Sequence, residues 1–262
     1  MTTRETAWPE GTPCWVDLGA DDPAQARAFY SALFGWDIQV GGEETGNYGM
    51  CQVGGKSVAG IMGKMSPDQP TVWTTYLAAA DVDATVDKIK NAGGQVLVEP
   101  MDVMEAGRFA ITADPGGAVF GLWQSREMNG FGVANEPGSV TWNENWSRDL
   151  EGNKAFYGAV FGASFGDMSN EQMQYATLDI DGKNAGGIGA MGSMFPAEVP
   201  AFWGVYFAVA DADATIAKAT ELGGTVINPA MDTPFGRQAT LTDDQGAPFS
   251  IIQLSQDQAA QG

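Results

Sequence analysis

Histidine is absent from this sequence of 262 residues. Its absence excludes every Ser-His-Asp or Cys-His triad, every imidazole proton shuttle and every metal site built on imidazole. Cysteine is almost absent. Cys14 and Cys51 are too few for a disulfide framework and lack zinc-knuckle spacing, so two reduced, buried thiols are expected. Positive charge is scarce, with 13 Lys and Arg against 33 Asp and Glu and a net charge of −20. Such a surface repels phosphate backbones, which argues against nucleic acid as a partner. No apolar run approaches the roughly 18 residues that would span a bilayer, so no membrane span is expected. The opening MTTRETAWPEGTP carries no apolar signal-peptide core, and a cytoplasmic location follows as an expectation.

What is present is a duplication. Trp15, Phe29, Tyr30, Phe34 and Gly35 return at one constant spacing as Trp142, Phe156, Tyr157, Phe161 and Gly162. After a small slip, Trp73, Tyr76, Asp81, Asp83, Gly93 and Gly94 return as Trp203, Tyr206, Asp211, Asp213, Gly223 and Gly224. Gly107, Arg108, Asp114 and Gly117 likewise return as Gly236, Arg237, Asp243 and Gly246. Slips of this kind belong in loops. The expected organisation is a first domain over 1–126, a connector over 127–137 and a second domain over 138–262. With 44% hydrophobic and 18% charged residues, each half has the composition of a globular unit with its own core.

Each half reads as strand, helix and several strands, twice over. CWVDLG alternates like a half-buried strand. DDPAQARAFYSALFG supplies a helix start at Asp21 or Asp22, Pro23 in the first turn, an apolar stripe through Ala26, Phe29, Tyr30 and Leu33, and Gly35 as the stop. A second round runs from VWTTYLAA through the helix of DVDATVDKIKNAGG to QVLVEP, RFAITA and AVFGLWQ. A unit of this size is marginal alone, so neighbouring units are expected to pack their sheets together.

The ordered set FYSALFGW or FYGAVFGASF, DVDA or DADA, AGG or LGG, and ADPGGAVFGLW or TDDQGAPFSII resembles the vicinal oxygen chelate superfamily, which includes glyoxalases, bleomycin-resistance proteins and extradiol dioxygenases. The resemblance spans nearly the whole chain. It implies an α+β fold of tandem βαβββ modules, four modules with two per domain, forming curved mixed sheets around a cup. It also implies a divalent metal held by His or Glu on the cup floor. Carried over position by position, the seats of those ligands fall on Trp15, Thr74 and Gly121 in the first half and on Trp142, Gly204 and Ser250 in the second. None is a ligand of the expected kind. The departure most resembles the metal-free, ligand-sequestering members, so no cofactor is expected.

Strand alternation then directs attention to what shares a face with those seats. Trp15 shares one with Asp17, and Trp142 shares one with Glu144 and Trp146. The indoles serve either as flat walls for a planar ligand or as core. Asp17 and Glu144 have three open readings: pairing with Arg108 and Arg237, direct ligand contact, or acid-base catalysis if unpaired in an apolar cup. Arg108 and Arg237, which begin strands expected to face inward, are themselves candidate ligand-binding residues. Tyr76 and Tyr206, like Tyr48 and Tyr175, either bond a ligand or fill a core edge. VAGIMGKM and NAGGIGAMG read as strands closely approached by another backbone or a ligand, not as phosphate loops. Met62, Met65, Met191 and Met194 suit packing or a pocket rim, and Glu43, Glu44, Asp102 and Asp232 read as solvated loop acids. The expected function is metal-independent binding of a small planar or hydrophobic organic molecule, of the sequestration or resistance type. The alternative is a metal-free lyase, isomerase, hydroxylase or dioxygenase-like enzyme with Asp17 and Glu144 as acid-base groups. A monomer is favoured over a homodimer, because the duplication reproduces within one chain what single-domain relatives build by pairing.

Overall fold

The computed structural model describes residues 2–193 and 195–255. Met194 and the end of the second half therefore lie outside the described residues. The first half contains β1 (Thr2–Thr3), β2 (Pro13–Ala20), α1 (Pro23–Phe34), β3 (Asp37–Val40), β4 (Gly49–Val53), β5 (Lys56–Gly63), β6 (Val72–Ala78), α2 (Val82–Asn91), β7 (Gln95–Val103), β8 (Gly107–Ala113) and β9 (Val119–Ser125). A short β10 (Val133–Ala134) follows. The second half contains β11 (Val140–Ser147), α3 (Leu150–Phe161), β12 (Ser164–Asp167), β13 (Tyr175–Ile180), β14 (Lys183–Ala190), β15 (Phe202–Ala208), α4 (Ala212–Glu221), β16 (Thr225–Thr233), β17 (Gly236–Thr242) and β18 (Pro248–Leu254).

All four helices of the described residues start on an aspartate. Asp22, Asp81, Asp149 and Asp211 each accept from backbone N–H groups in the first turn, meeting donors that have no partner inside the helix. The proline expected in the first turn of α1 is there, and Gly35 ends the helix in the left-handed region at φ 71°. Its counterpart Gly162 does the same for α3 at φ 68°.

Each half forms one open eight-stranded mixed sheet. The order is β3-β4-β5-β2-β6-β9-β8-β7 in the first and β12-β13-β14-β11-β15-β18-β17-β16 in the second. The parallel pairs β2/β5 and β6/β9 mark the two βαβββ modules, whose first strands β2 and β6 meet antiparallel at the centre. This is the expected α+β architecture. Even-numbered residues of β2, such as Val16 and Leu18, are fully buried on the helix side, which leaves Trp15, Asp17 and Gly19 on the concave side.

The repeated FY pair holds the halves together. Tyr30 of α1 donates to Asp243 Oδ2 of the other half at 3.2 Å and accepts from Trp73 Nε1 at 3.0 Å. Tyr157 of α3 donates to Asp114 Oδ2 at 2.9 Å and accepts from Trp203 Nε1 at 2.9 Å. Burial pushes both carboxyls up from the usual carboxylate range, while hydrogen bonds from backbone and tyrosine oppose it. The doubled glycines of AGG and LGG have separable roles. Gly93 and Gly223 adopt φ of 87° and 98°, whereas a Cβ on Gly94 would lie 2.9 Å from Phe156 and one on Gly224 would lie 3.3 Å from Phe29. A Cβ on the second glycine of each pair would be pressed by a backbone carbonyl of its own half, Ala113 O at 2.8 Å or Thr242 O at 2.5 Å, and also by a phenylalanine of the opposite half.

The connector carries structure that its composition does not announce. β10 pairs antiparallel with β1, and Phe131 donates its N–H to Cys14 O at 2.8 Å while its ring lies 5.7 Å from that of Trp15. Cys14 and Cys51 are buried and unbridged.

Candidate functional site

The concave face of the first sheet presents a chain of hydrogen bonds built from three strands. Trp15 Nε1 donates to Tyr48 Oη at 2.9 Å, and Tyr48 donates to Asp17 Oδ2 at a long 3.4 Å. Tyr76, directly opposite Trp15 in the β2/β6 register, also faces the Asp17 carboxylate. Burial raises the Asp17 pKa to about 7, only partly countered by the two phenols. Gly60 lies opposite Asp17 on β5, and a Cβ there would collide with the Tyr48 hydroxyl.

The second sheet repeats this arrangement. Trp142 Nε1 donates to Tyr175 Oη at 2.9 Å, and Tyr175 donates to Glu144 Oε2 at 2.8 Å. Tyr206 donates to Glu144 Oε1 at 2.8 Å. Gly187, opposite Glu144, leaves room for the Tyr175 hydroxyl as Gly60 does for Tyr48. Here a further donor is added, Trp146 Nε1 to Glu144 Oε1 at 2.7 Å. Burial raises the Glu144 pKa, opposed by these donors. The Trp146 ring lies over Gly189 and packs against Tyr175 and Phe195, at 5.6 and 5.0 Å between centroids.

Trp15, Asp17, Tyr48 and Tyr76 are thus brought together, as are Trp142, Glu144, Tyr175 and Tyr206. Arg108 and Arg237 are not. The expected pairing with Asp17 and Glu144 is corrected: Arg108 binds Asp83 of α2 and Asp102 of β7, and Arg237 binds Asp213 of α4 and Asp232 of β16. The reason is strand parity. Arg108 precedes the cup-facing Phe109 by one residue, so its guanidinium emerges on the helix side. Asp102 and Asp232 lie on strands and are paired, not in loops, though both side chains remain solvated as expected, and Glu43 and Glu44 are exposed in a short turn. Among the methionines, Met62 is half-buried, Met65 is exposed and Met191 is buried.

Sequence reasoning missed Gln69 and Phe195, which stand in the long loops after β5 and β14 and have no periodicity to reveal them. It also read the Gly-rich strands only as sites of close approach. The approaching groups are the protein's own Tyr48, Tyr175 and Trp146.

A cavity of about 210 Å³ sits one register row beyond Trp15 and Tyr76, lined by Trp8, Glu10, Cys14, Ala78, Trp123 and Asn129. Trp8 Nε1 is buried there with no hydrogen-bond partner among the described residues.

The register places Thr74 opposite Asp17 and Gly121 beside Tyr76, with Gly204 opposite Glu144 and Ser250 beside Tyr206. All six inherited seats share the concave face with the two acids. Indole donates only, glycine has no side chain, and single hydroxyls are weak anchors, so this set does not fit a divalent ion. No group of three Asp, Glu, Cys or His suited to a metal occurs among the described residues.

Comparison with known proteins agrees with the fold. The sequence model described as "Glyoxalase/Bleomycin resistance protein/Dioxygenase superfamily" matches residues 14–122 and 144–251. The chain belongs to that superfamily. CFP32 of Mycobacterium tuberculosis (strain CDC 1551 / Oshkosh), named as a glyoxylase, is 41% identical over 97% of this chain and 99% of its own length. The anthracycline biosynthesis protein DauV of Streptomyces sp. (strain C5) is 36% identical over 95% of each chain. Among solved structures, the Mn(II)-bound glyoxalase from Novosphingobium aromaticivorans shares the fold with a TM-score of 0.63 at 15% identity, over 94% of this chain and 85% of its own. The 2,3-dioxygenase LapB from Pseudomonas sp. KL28 shares it with a TM-score of 0.64 at 11% identity, over 94% and 93%. This superfamily member therefore shares its fold with a glyoxalase that was solved with Mn(II) bound.

Proposed function

We propose that this superfamily member binds a small planar aromatic or otherwise hydrophobic organic molecule on the concave face of its sheets, without a divalent metal. One observation carries the reading. A Trp–Tyr–carboxylate–Tyr set occupies the concave face of both halves, where the seats inherited from the family hold no ion-binding side chains. Flat indole and phenol walls supply apolar contact, and a recessed acid supplies orientation. The similarity to a protein named for the biosynthesis of anthracyclines, which are fused-ring aromatics, points to the same chemical class. A cytoplasmic, monomeric protein is part of this reading.

A second reading is metal-free acid-base catalysis on such a molecule, favoured by the burial that brings Asp17 close to neutrality. Titration of planar aromatics by tryptophan fluorescence and calorimetry tests the first reading, with saturable binding tighter than millimolar expected. Stoichiometric zinc, iron, nickel or manganese seated on either cup floor would overturn its metal-free part. Turnover unchanged in both Asp17→Asn and Glu144→Gln would dismiss the catalytic reading.

A further inference from the structure

The two cups differ at one pair of facing residues. In the second, Trp146 on β11 lies opposite Gly189 on β14, so a large flat ring rests on bare backbone. In the first, the repeat puts Gly19 at the position of Trp146 and Met62 at that of Gly189, and these two face each other on β2 and β5. Large and small have changed places. The consequence reaches the acid: Glu144 accepts a hydrogen bond from the indole N–H at 2.7 Å, whereas Gly19 offers Asp17 nothing. Asp17 keeps only the long bond from Tyr48 and the facing phenol of Tyr76.

Gln69 occupies the ground above Gly19. A Cβ on Gly19 would lie 3.0 Å from Gln69 Nε2. The Gln69 carboxamide is held by its oxygen, which accepts the Met65 N–H at 3.0 Å. Its nitrogen has no acceptor among the described residues. Because Asp17 and Gly19 are two residues apart on one face, their Cα atoms stand about 7 Å apart, with the acceptor on the first and this donor over the second. The neighbouring wall is apolar in the first cup, where Phe109 and Ile111 face Trp123 and Gly121, and polar in the second, where Thr240 bonds Ser250 at 3.1 Å.

Resting on the reading of the cups as binding sites, we infer that the first cup alone is the ligand site. It takes a flat bicyclic-sized aromatic that pushes the Gln69 carboxamide aside from over Gly19 and lies there as the Trp146 indole lies over Gly189, with an O–H or N–H directed at Asp17 and a carbonyl accepting from the displaced Gln69 amide. The second cup carries its own built-in occupant. Met62 and Gln69, both unbranched and flexible, adjust to the incoming ring as the rigid Trp146–Phe195 pair does not.

The test is calorimetric titration of the full chain with 7-hydroxycoumarin at pH 6, beside 7-methoxycoumarin, which lacks the donor. One equivalent of 7-hydroxycoumarin is expected to bind, with 7-methoxycoumarin weaker. Loss of one hydrogen bond in Gln69→Ala or Asp17→Ala should weaken 7-hydroxycoumarin about fivefold to tenfold, and Gly19→Trp, which installs the second cup's occupant, should abolish binding. Gln69→Ala changes a half-buried loop residue outside both sheets, so the proposal can be tested even where Gly19→Trp does not fold. One equivalent lost in Trp142→Ala but indifferent to Gln69→Ala and Asp17→Ala would place the ligand in the second cup and overturn the inference while sparing the wider reading. Two equal sites, or binding of other planar aromatics without 7-hydroxycoumarin, would overturn it in the same way. No saturable binding of any planar aromatic would remove the wider reading and this inference with it.

Discussion

The two cups descend from one pattern yet hold their acids in opposite ways. Glu144 reaches one methylene farther than Asp17 and meets Tyr175 at 2.8 Å, where Asp17 meets Tyr48 at 3.4 Å. It also has Tyr206 and Trp146 as close donors. Two of its donors have no alternative. Indole can only donate, and the Tyr175 oxygen is already taken by Trp142, so its O–H must turn to Glu144. Ionised Glu144 accepts all three at once. Asp17 has a single compelled donor, Tyr48, whose oxygen is taken by Trp15. An acid so placed carries the cost of burial with only two phenols to offset it and no indole, and its pKa climbs to about 7. One carboxylate is built into its sheet, and the other is left with acceptor capacity to spare.

This contrast is broken or sharpened first by Asp17→Asn. A carboxyl whose folded pKa lies near 7, above the unfolded value of 3.8, binds more protons in the folded state between those two values. Unfolding free energy therefore falls as pH rises from about 4 to about 7, by an amount on the order of 4 kcal/mol at most. Asp17→Asn should flatten that slope and be more stable than the parent at pH 8, as read by denaturant unfolding at several pH values. A parent without the slope would place Asp17 among ordinary solvated carboxyls.

Glu144→Gln should act in the opposite direction. Whichever way the carboxamide is turned, its NH2 confronts a compelled donor, the Trp146 N–H on one side or the Tyr175 O–H on the other. The expected loss is about 3 kcal/mol at pH 7, within the range for a broken buried charged network. Equal tolerance of Asp17→Asn and Glu144→Gln would erase the distinction between the cups. Third in size is the pair Tyr175→Phe and Tyr48→Phe. The first removes a 2.8 Å bond to a buried acid and leaves Trp142 unpaired, so it should cost about 2 kcal/mol. The second also orphans an indole but breaks only a 3.4 Å bond, and should cost about 1 kcal/mol.

Much of this arrangement is legible in the order of residues alone. Helix starts follow from aspartate and proline, their ends from glycine, and the doubling of FY, AGG and Arg108/Arg237 exposes the repeat. The common face of Trp15 with Asp17 and of Trp142 with Glu144 follows from alternation. What is not legible depends on partners distant in sequence. Tyr48 and Tyr175 show no local sign that they bridge indole and acid, because the bridge forms only when β4 and β13 are laid beside β5 and β14. The exchange of Gly19 and Met62 for Trp146 and Gly189 is visible as letters, but its meaning requires the register that makes each pair face. Gln69 sits in a loop without pattern, and its position over Gly19 is a tertiary fact.

The arginines provide the smallest expected effect and a check on parity. Arg108 and Arg237 recur in both halves, and recurrence alone suggests a role beside the acids. Strand alternation gives them another. Each guanidinium leaves the helix side of its sheet and bonds an aspartate in the first turn of α2 or α4 and a second aspartate on the edge strand, at 2.8 to 3.1 Å. These are partly exposed surface pairs, which contribute little to stability. Arg108→Gln and Arg237→Gln should therefore leave ligand affinity and the pH dependence ascribed to Asp17 unchanged, in the titrations that register Asp17→Asn. A shift of the Asp17 transition to higher pH in Arg108→Gln would mean that the guanidinium field reaches the cup through the sheet. It would then make the first cup's acid a partner of the helix face, and its difference from Glu144 would no longer rest on the missing indole alone.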